Sequence, residues 1–329
     1  MEIAPEYNAP TVGSTPFHPV STLTLLREQE IVVQLRKAFA ERYLPEHLFY
    51  WLPSSVQAWV DLCRSAEYKN ASRAIEVLKA SADDIARRSG DVRTLCGLGC
   101  GEGSKDRILL DAFAQRGKPW NFIACDFSQA LLELAVDQAL AVTASGLAVK
   151  LDVFNDDHLQ LMARQARNIG TPVLFSVLGN TLGAFDPKRF PARLKEMCNP
   201  EDRFVFDGEI FNPATLAGYD NPTNRRFAWG PLTGVGIGED DGRIEFSTDS
   251  LADGLFAVKK HFIASRDIRV HVGGEWIEIR SGETLNMSSS IKYRNDSTLV
   301  GMVEAGGFKV ETNWMSKDGH FVLGYAKPR

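Results

Sequence analysis

Short apolar runs and longer amphipathic ones alternate through the middle of the chain. The runs at 92–98, 121–126, 147–151, 172–178 and 203–209 are apolar and continuous, as buried strands are. Between them, 104–116, 128–143, 156–168 and 187–198 carry apolar residues at helical spacing. Strands alternating with helices of this length predict an α/β fold, a doubly wound parallel sheet with helices on both faces. Right-handed crossovers then place the strand C-termini, and with them any ligand, along one edge.

The flanks follow other periods. Residues 1–20 are rich in Pro, Thr and Ser and read as a loose arm. From Ser21 a helical spacing (Leu23, Leu26, Ile31, Val32, Leu35, Phe39) runs to Pro45. An aromatic knot, Leu48-Phe49-Tyr50-Trp51-Leu52-Pro53, precedes a helix that Ser54 is placed to cap. A further helix from Ser72 carries Ile75, Leu78 and Ile85 and stops near Gly90. Beyond Phe211 the stretch 218–242 is rich in Gly, Asn, Asp and Pro, and 256–263, 269–272 and 275–279 read as short strands. A helix at 295–305 ends at Gly306-Gly307, and 308–314 with 320–326 form a closing hairpin around Lys317-Asp318-Gly319. The expected division is a nucleotide-type domain at 69–210, completed by 291–329, and an α+β lid made of 1–68 with the insertion 211–290.

Composition narrows the function classes. The 329 residues are 44% apolar and 24% charged with a net charge of -5, and no Lys/Arg block marks a nucleic-acid surface. No apolar run approaches the ~18 residues of a membrane span. The N-terminal stretch has acidic Glu2 and Glu6 and no apolar core, unlike a signal peptide. Five scattered cysteines (Cys63, Cys96, Cys100, Cys125, Cys198) fit a reduced, cytoplasmic setting. Cys96 and Cys100 lack CxxC spacing and a nearby His, so no metal is expected and they read as small apolar residues. The expected partner is a small-molecule substrate.

The chemistry-bearing stretch is Thr94 to Arg107, an apolar run, a glycine cluster and a helix. Glycines suit a turn whose backbone a ligand approaches, and the helix N-terminus after it offers unpaired N–H groups. As a dinucleotide fingerprint the turn is imperfect, because Gly97-x-Gly99 meets Glu102 at the third site. The second strand ends in Asp126 before Phe127-Ser128, placing a carboxylate to accept ribose hydroxyls. The third ends in Asp152-Val153-Phe154, an acceptor for an adenine amino group beside apolar contacts. Each acid alone also fits a helix-start cap. Both in order, without a second phosphate cradle, suit S-adenosylmethionine better than NAD. The fourth strand runs into Leu178-Gly179-Asn180-Thr181-Leu182-Gly183, small residues placed where a substrate meets the methyl group.

These motifs resemble the S-adenosylmethionine-dependent methyltransferases typified by the histidine Nα-methyltransferase of ergothioneine biosynthesis. The resemblance is carried by Leu48-Phe49-Tyr50, Glu67-Tyr68, Leu98-Gly99-Cys100-Gly101 with Lys105, Asp126-Phe127-Ser128, Leu178 to Gly183, Asn212 to Leu216 with Tyr219-Asp220, Ser281 to Thr284, and Ser290 with Lys292-Tyr293. It implies a Rossmann-like class I methyltransferase sheet closed by an antiparallel hairpin. It implies a cofactor site at Gly99, Cys100, Gly101, Lys105, Asp126, Phe127, Ser128, Asp152, Val153, Phe154 and Gly179. In the family's pattern Tyr68 and Tyr219 hold a substrate carboxylate, Tyr50 lines the same pocket and Ser290 touches the substrate side chain.

Two positions depart from that family. It holds the substrate amine with Asn where this chain has Ala184, and it grips the imidazole with Glu where this chain has Ser288. A pocket that loses an acceptor loses selectivity for the donor it paired. The expected reaction is N-methylation of an amino acid or amine-containing metabolite other than histidine, with O- or C-methylation as the alternative and an NAD-dependent oxidoreductase disfavoured. An in-line methyl transfer chiefly needs alignment, so positioning residues (Asn180, Tyr68, Tyr219) are expected rather than a triad. His158 and His320 have no Ser or Cys partner and read as packed or surface residues, and Lys259-Lys260-His261 reads as a solvated strand face. Phe49, Tyr50 and Trp51 fit core and pocket equally well.

Overall fold

The computed structural model describes residues 20–117 and 120–329, so the arm read at 1–20 lies outside the described residues except for Val20. The chain begins with β1 (Val20–Thr24), α1 (Glu28–Ala40), β2 (Tyr43–Leu44), α2 (Pro53–Arg64) and α3 (Lys69–Arg88). The alternating region follows as β3 (Thr94–Leu98), α4 (Ser104–Gln115), β4 (Trp120–Asp126), α5 (Gln129–Ala139), β5 (Thr143–Lys150) and α6 (Asp156–Ile169). It ends with β6 (Val173–Val177), α7 (Arg189–Glu196) and β7 (Arg203–Glu209). Next come α8 (Thr215–Tyr219), α9 (Pro222–Thr233), β8 (Gly242–Ser250), β9 (Leu255–Ala264), β10 (Ile268–Val272), β11 (Glu275–Ile279) and β12 (Thr284–Tyr293). Helix α10 (Asp296–Ala305) and the hairpin β13 (Phe308–Met315) and β14 (Phe321–Pro328) close the chain.

The large sheet has the order β1-β5-β4-β3-β6-β7-β14-β13, parallel from β1 to β7 and antiparallel through β14 and β13. Every residue of β3 and β6 is buried, which explains their unbroken apolar character. One face is covered by α3, α4 and α5 through Leu78, Leu110 and Leu132, the other by α6, α7 and α10 through Leu159, Leu194 and Leu299. Burial of each such leucine contributes about 1.5–3 kcal/mol. The chain leaves β3 for β4 on one side and reaches β6 on the other, so the order reverses beside β3. Crevices at such reversals are where open α/β sheets bind ligands.

A second sheet, β2-β12-β9-β8, and the ribbon β10-β11 share a core with α1, α2 and α9. Phe39, Phe49, Phe227, Phe262 and Met287 are buried there.

Several expectations need correction. Residues 20–24 are not helical: they form an edge strand paired with 146–150 of β5. A pairing partner more than a hundred residues away leaves no local period to read. Helix α2 starts at Pro53 with Leu52 as N-cap, so Ser54 is inside it, and α3 begins at Lys69 rather than Ser72. Helix α5 ends at Ala139, earlier than 143, because β5 already begins at Thr143. The stretch 218–242 contains α9, whose first turn hides in Asn221-Pro222-Thr223-Asn224. Asn221 caps it by accepting the Asn224 N–H, and Pro222 takes the first helical position. Strands β8 and β12, at the two ends of the stretch 243–290 read as short alternating strands, flank β9 on either side.

Candidate active site

The turn after β3 is built by three left-handed glycines, Gly99 (φ 67°), Gly101 (φ 59°) and Gly103 (φ 82°). Gly103 is the N-cap of α4, and a Cβ on it would stand 2.7 Å from the Ala135 Cα. Around a Cβ on Gly101 there is nothing within 4 Å, so this turn faces open space. Asp126, at the end of β4, holds the turn in place. Its Oδ2 accepts the Gly101 N–H and its Oδ1 the Ser128 N–H, both at 2.9 Å. Burial pushes the Asp126 carboxyl up, and these backbone donors pull it back down. A carboxylate has about four acceptor positions, so after the backbone donors acceptor capacity remains for a ligand.

At the end of β6 the turn Gly179-Asn180 is also left-handed, at φ 82° and 61°. Asp207 on β7 fixes it, accepting the Gly179 N–H at 2.6 Å and the Asn180 N–H at 2.7 Å. A Cβ on Gly179 would meet the Lys105 Cε at 2.7 Å, which puts the Lys105 side chain across this turn. The Asn180 amide is engaged at both ends, with Oδ1 accepting the Glu209 N–H and Nδ2 donating to Ser290 Oγ, each at 3.0 Å.

The two turns and the second sheet line a common cleft. Of the residues singled out in the sequence, Gly99, Gly101, Asp126, Phe127, Val153, Phe154, Gly179, Asn180, Tyr50, Tyr68, Ala184, Tyr219, Ser288 and Ser290 line it. Cys100, Lys105, Ser128 and Asp152 do not line it. Cys100 is a buried thiol, and Ser128 caps α5. Asp152 Oδ1 accepts the Phe154 N–H at 2.8 Å, which shapes the turn presenting Val153 and Phe154. Its Oδ2 accepts from Gln34 Nε2 at 3.1 Å, and Gln34 Oε1 stands 3.0 Å from His47 Nε2. His47 packs against Phe127 and Phe154 in the cleft wall, and burial pushes its pKa down.

The opposite wall holds a buried polar cluster. Glu209 accepts from Asn70 Nδ2 at 2.7 Å, from the Tyr219 hydroxyl at 3.1 Å and from the Lys292 ammonium at 3.0 Å. Asn70 Nδ2 also donates to Tyr219 Oη at 3.0 Å, and the Tyr68 ring meets Tyr219 edge-on with centroids 5.8 Å apart. Lys292 donates to Ser290 Oγ at 2.8 Å. With Asn180 also donating to it, the Ser290 oxygen has both lone pairs taken and its own proton left to give. Ser288 sits at a bulge in β12 where the register to β9 shifts, at φ 46°, and the bulge turns it into the cleft.

Glu46, His47, Trp59, Phe185, Phe227 and Lys260 line the cleft without having been read in the sequence. Lys260 corrects the reading of its run as solvated. Along β9 the flanking residues are less buried, with Lys259 paired to Asp249 and His261 bonded to Ser247, while Lys260 is only 5% exposed. Alternation along a strand sends the middle residue of any such triplet to the other face, and that was the signal available. His158 is packed, its Nδ1 accepting the Asp152 N–H at 3.1 Å. Phe49 is core, Tyr50 is pocket, and Trp51 donates to Glu28.

The donor set fits S-adenosylmethionine. Asp126 has acceptor positions for a diol, Phe127, Val153 and Phe154 give an apolar slot, and the space at Gly101 lets a ligand reach the backbone. Among the described residues no helix is long and apolar enough to cross a membrane.

Comparison with known proteins agrees with this geometry. The family model described as "Histidine-specific methyltransferase, SAM-dependent" matches residues 27–218 and 252–328. N-methyltransferase fsqC of Aspergillus fumigatus is 24% identical over 288 residues, 84% of this chain and 78% of its own. Ergothioneine biosynthesis protein 1 of Schizosaccharomyces pombe is 25% identical over 83% of this chain and 37% of its own length. Histidine N-alpha-methyltransferase of Mycobacterium tuberculosis is 28% identical over 54% of this chain and 55% of its own. With β2 to β7 and β9 to β14 inside the matched segments and the glycine turn, Asp126 and the Gly179 turn converging on one cleft, this chain belongs to the histidine-specific, S-adenosylmethionine-dependent methyltransferase family.

Proposed function

We propose that the enzyme N-methylates a small amine-bearing metabolite or amino acid other than histidine. The observation that carries this reading is the cleft wall at Ala184 and Ser288. Both side chains line the cleft, and neither offers the amide or carboxylate with which the family pattern pairs a histidine amine and imidazole. Relatives named as N-methyltransferases support nitrogen as the accepting atom.

When bound, S-adenosylmethionine supplies a methyl carbon whose bond to sulfur breaks toward sulfur as the acceptor's lone pair forms the new bond. The chain's task is alignment, which supplies up to ~7–11 kcal/mol in the best intramolecular systems. Asp126 and the glycine turn would hold the ribose, and Phe127, Val153 and Phe154 would give the base apolar contact. Asp207 holds Gly179 and Asn180 where donor and acceptor meet. An ammonium must shed its proton before attack, and a free amine then needs no strong base.

The test is methyl transfer to a panel of amino acids and amines, with the methylated atom located by mass spectrometry and NMR. N-methyl products with histidine left unmodified support the reading. Histidine turned over as well as the other acceptors, or a methyl group on oxygen or carbon, would overturn it.

A further inference from the structure

We propose that Glu46 and Lys260 read the two ends of an amphoteric acceptor, its amine nitrogen paired with Glu46 and an acidic group paired with Lys260. The inference deepens the N-methylation reading and rests on it for the amine.

Glu46 enters the cleft from the one-turn helix Glu46–Tyr50 that precedes α2. Its Oε1 accepts the Tyr50 hydroxyl at 3.3 Å, whereas Oε2 is shut away from solvent and has no hydrogen-bond partner among the described residues. A buried carboxylate oxygen left unpaired is costly, and a ligand N–H removes that cost. Apart from Asp126, which belongs to the cofactor half, Glu46 is the acid lining the cleft. It stands in for the two acceptors that Ala184 and Ser288 no longer supply, from a different element of the fold.

Lys260 is the complementary case. No other Lys or Arg is among the residues lining the cleft, and no carboxylate stands within ion-pair distance of Lys260 among the described residues, while the Glu46 charge favours its ammonium form. Its ammonium lies over the faces of Phe49 and Phe227, 5.0 and 5.1 Å from the ring centroids. Lys292, by contrast, is already spent on Glu209 and Ser290. Tyr219 has its phenolic proton on Glu209, so Lys260 is the cation that the cleft offers an anion. Tyr50, Trp59 and Phe227 line the same cleft and suit an apolar or aromatic body.

The experiment is calorimetric titration of protein saturated with S-adenosylhomocysteine, using L-phenylalanine, 2-phenylethylamine and 3-phenylpropionate as matched probes. Wild type, Glu46→Gln and Lys260→Met are compared. The amino acid is expected to bind at least about tenfold tighter than either half-molecule, as charge-assisted contacts predict. Glu46→Gln should remove its advantage over the acid, and Lys260→Met its advantage over the amine. S-Adenosylhomocysteine affinity, unchanged in both variants, reports an intact fold. Equal affinity for all three probes, no binding of any, or equal losses for every probe in both variants would overturn the clamp. These titrations involve no turnover, so a wrong choice of methylated atom appears only in the product analysis and stays distinguishable.

Discussion

Tyr219 gives its phenolic proton to Glu209 Oε2 at 3.1 Å while its oxygen accepts from Asn70 at 3.0 Å. A phenol has one proton, so in this arrangement the hydroxyl is a structural link and not a free donor to a carboxylate. Tyr219→Phe therefore leaves buried Glu209 short of a donor and Asn70 short of an acceptor. The expected loss is about 1–3 kcal/mol of stability, read by urea unfolding, with KM for a carboxylate-bearing acceptor changed less than threefold. A large rise in KM at unchanged stability would return the residue to direct carboxylate binding.

The two glycines that frame the cofactor turn should fail differently. At Gly103 a side chain meets positive φ and the Ala135 backbone at 2.7 Å, so Gly103→Ala should lower the melting temperature sharply. At Gly101 the φ is also positive but the space is open. Gly101→Ala should cost only about 1–2 kcal/mol of stability, while weakening S-adenosylhomocysteine binding through the methyl group placed in the ligand's space. Melting curves with and without the ligand separate the two.

Asp126→Ala removes the carboxylate that orders the glycine turn and faces the cleft. Affinity for S-adenosylmethionine should fall by about tenfold or more. Calorimetry that finds wild-type affinity in this variant would remove Asp126 from the site.

Burial raises the Asp207 carboxyl from 3.8 to about 7, even against the two backbone N–H groups it accepts. The folded state then binds this proton more tightly than the unfolded chain. The stability so contributed is complete below the ordinary carboxylate range and is lost as pH rises toward about 7. Subtracting the melting profile of Asp207→Asn from that of wild type should give a difference that falls over this window. A flat difference would mean that Asp207 stays ionised throughout.

Much of this site was legible because its residues sit at strand ends. Asp126 and Gly179 follow apolar runs that only buried parallel strands produce, so their place at the ligand edge follows from topology. Glu46 and Lys260 were not legible for the opposite reason. Glu46 sits on a one-turn helix with no period to read, and a single lysine inside a basic triplet looks solvated until the strand's faces are known. The same limit applied to residues 20–24, whose pairing with β5 is wholly tertiary.

Ala184→Asn restores the amide of the family pattern at a position that lines the cleft. Histidine should gain methylation measurable as a rise in kcat/KM of about tenfold or more, the scale set by pairing a buried polar group. No gain in a folded, cofactor-binding variant would place the determinant of histidine exclusion elsewhere.

Asp152 touches nothing inside the cleft, yet it dictates what His47 can say there. Its carboxyl oxygen accepts from the Gln34 nitrogen, which leaves the Gln34 oxygen facing the ring and makes Nε2 the donor nitrogen of His47, and burial favours the neutral ring. The other ring nitrogen, buried and unpartnered, is thereby left as a lone pair. The anion works as a grammatical rule, fixing direction along a three-word sentence without appearing at its end. Asp152→Asn leaves every atom in place and makes both directions permissible. The wall would then present either a proton or a lone pair, and a ligand group that it now rejects could choose the answer it needs.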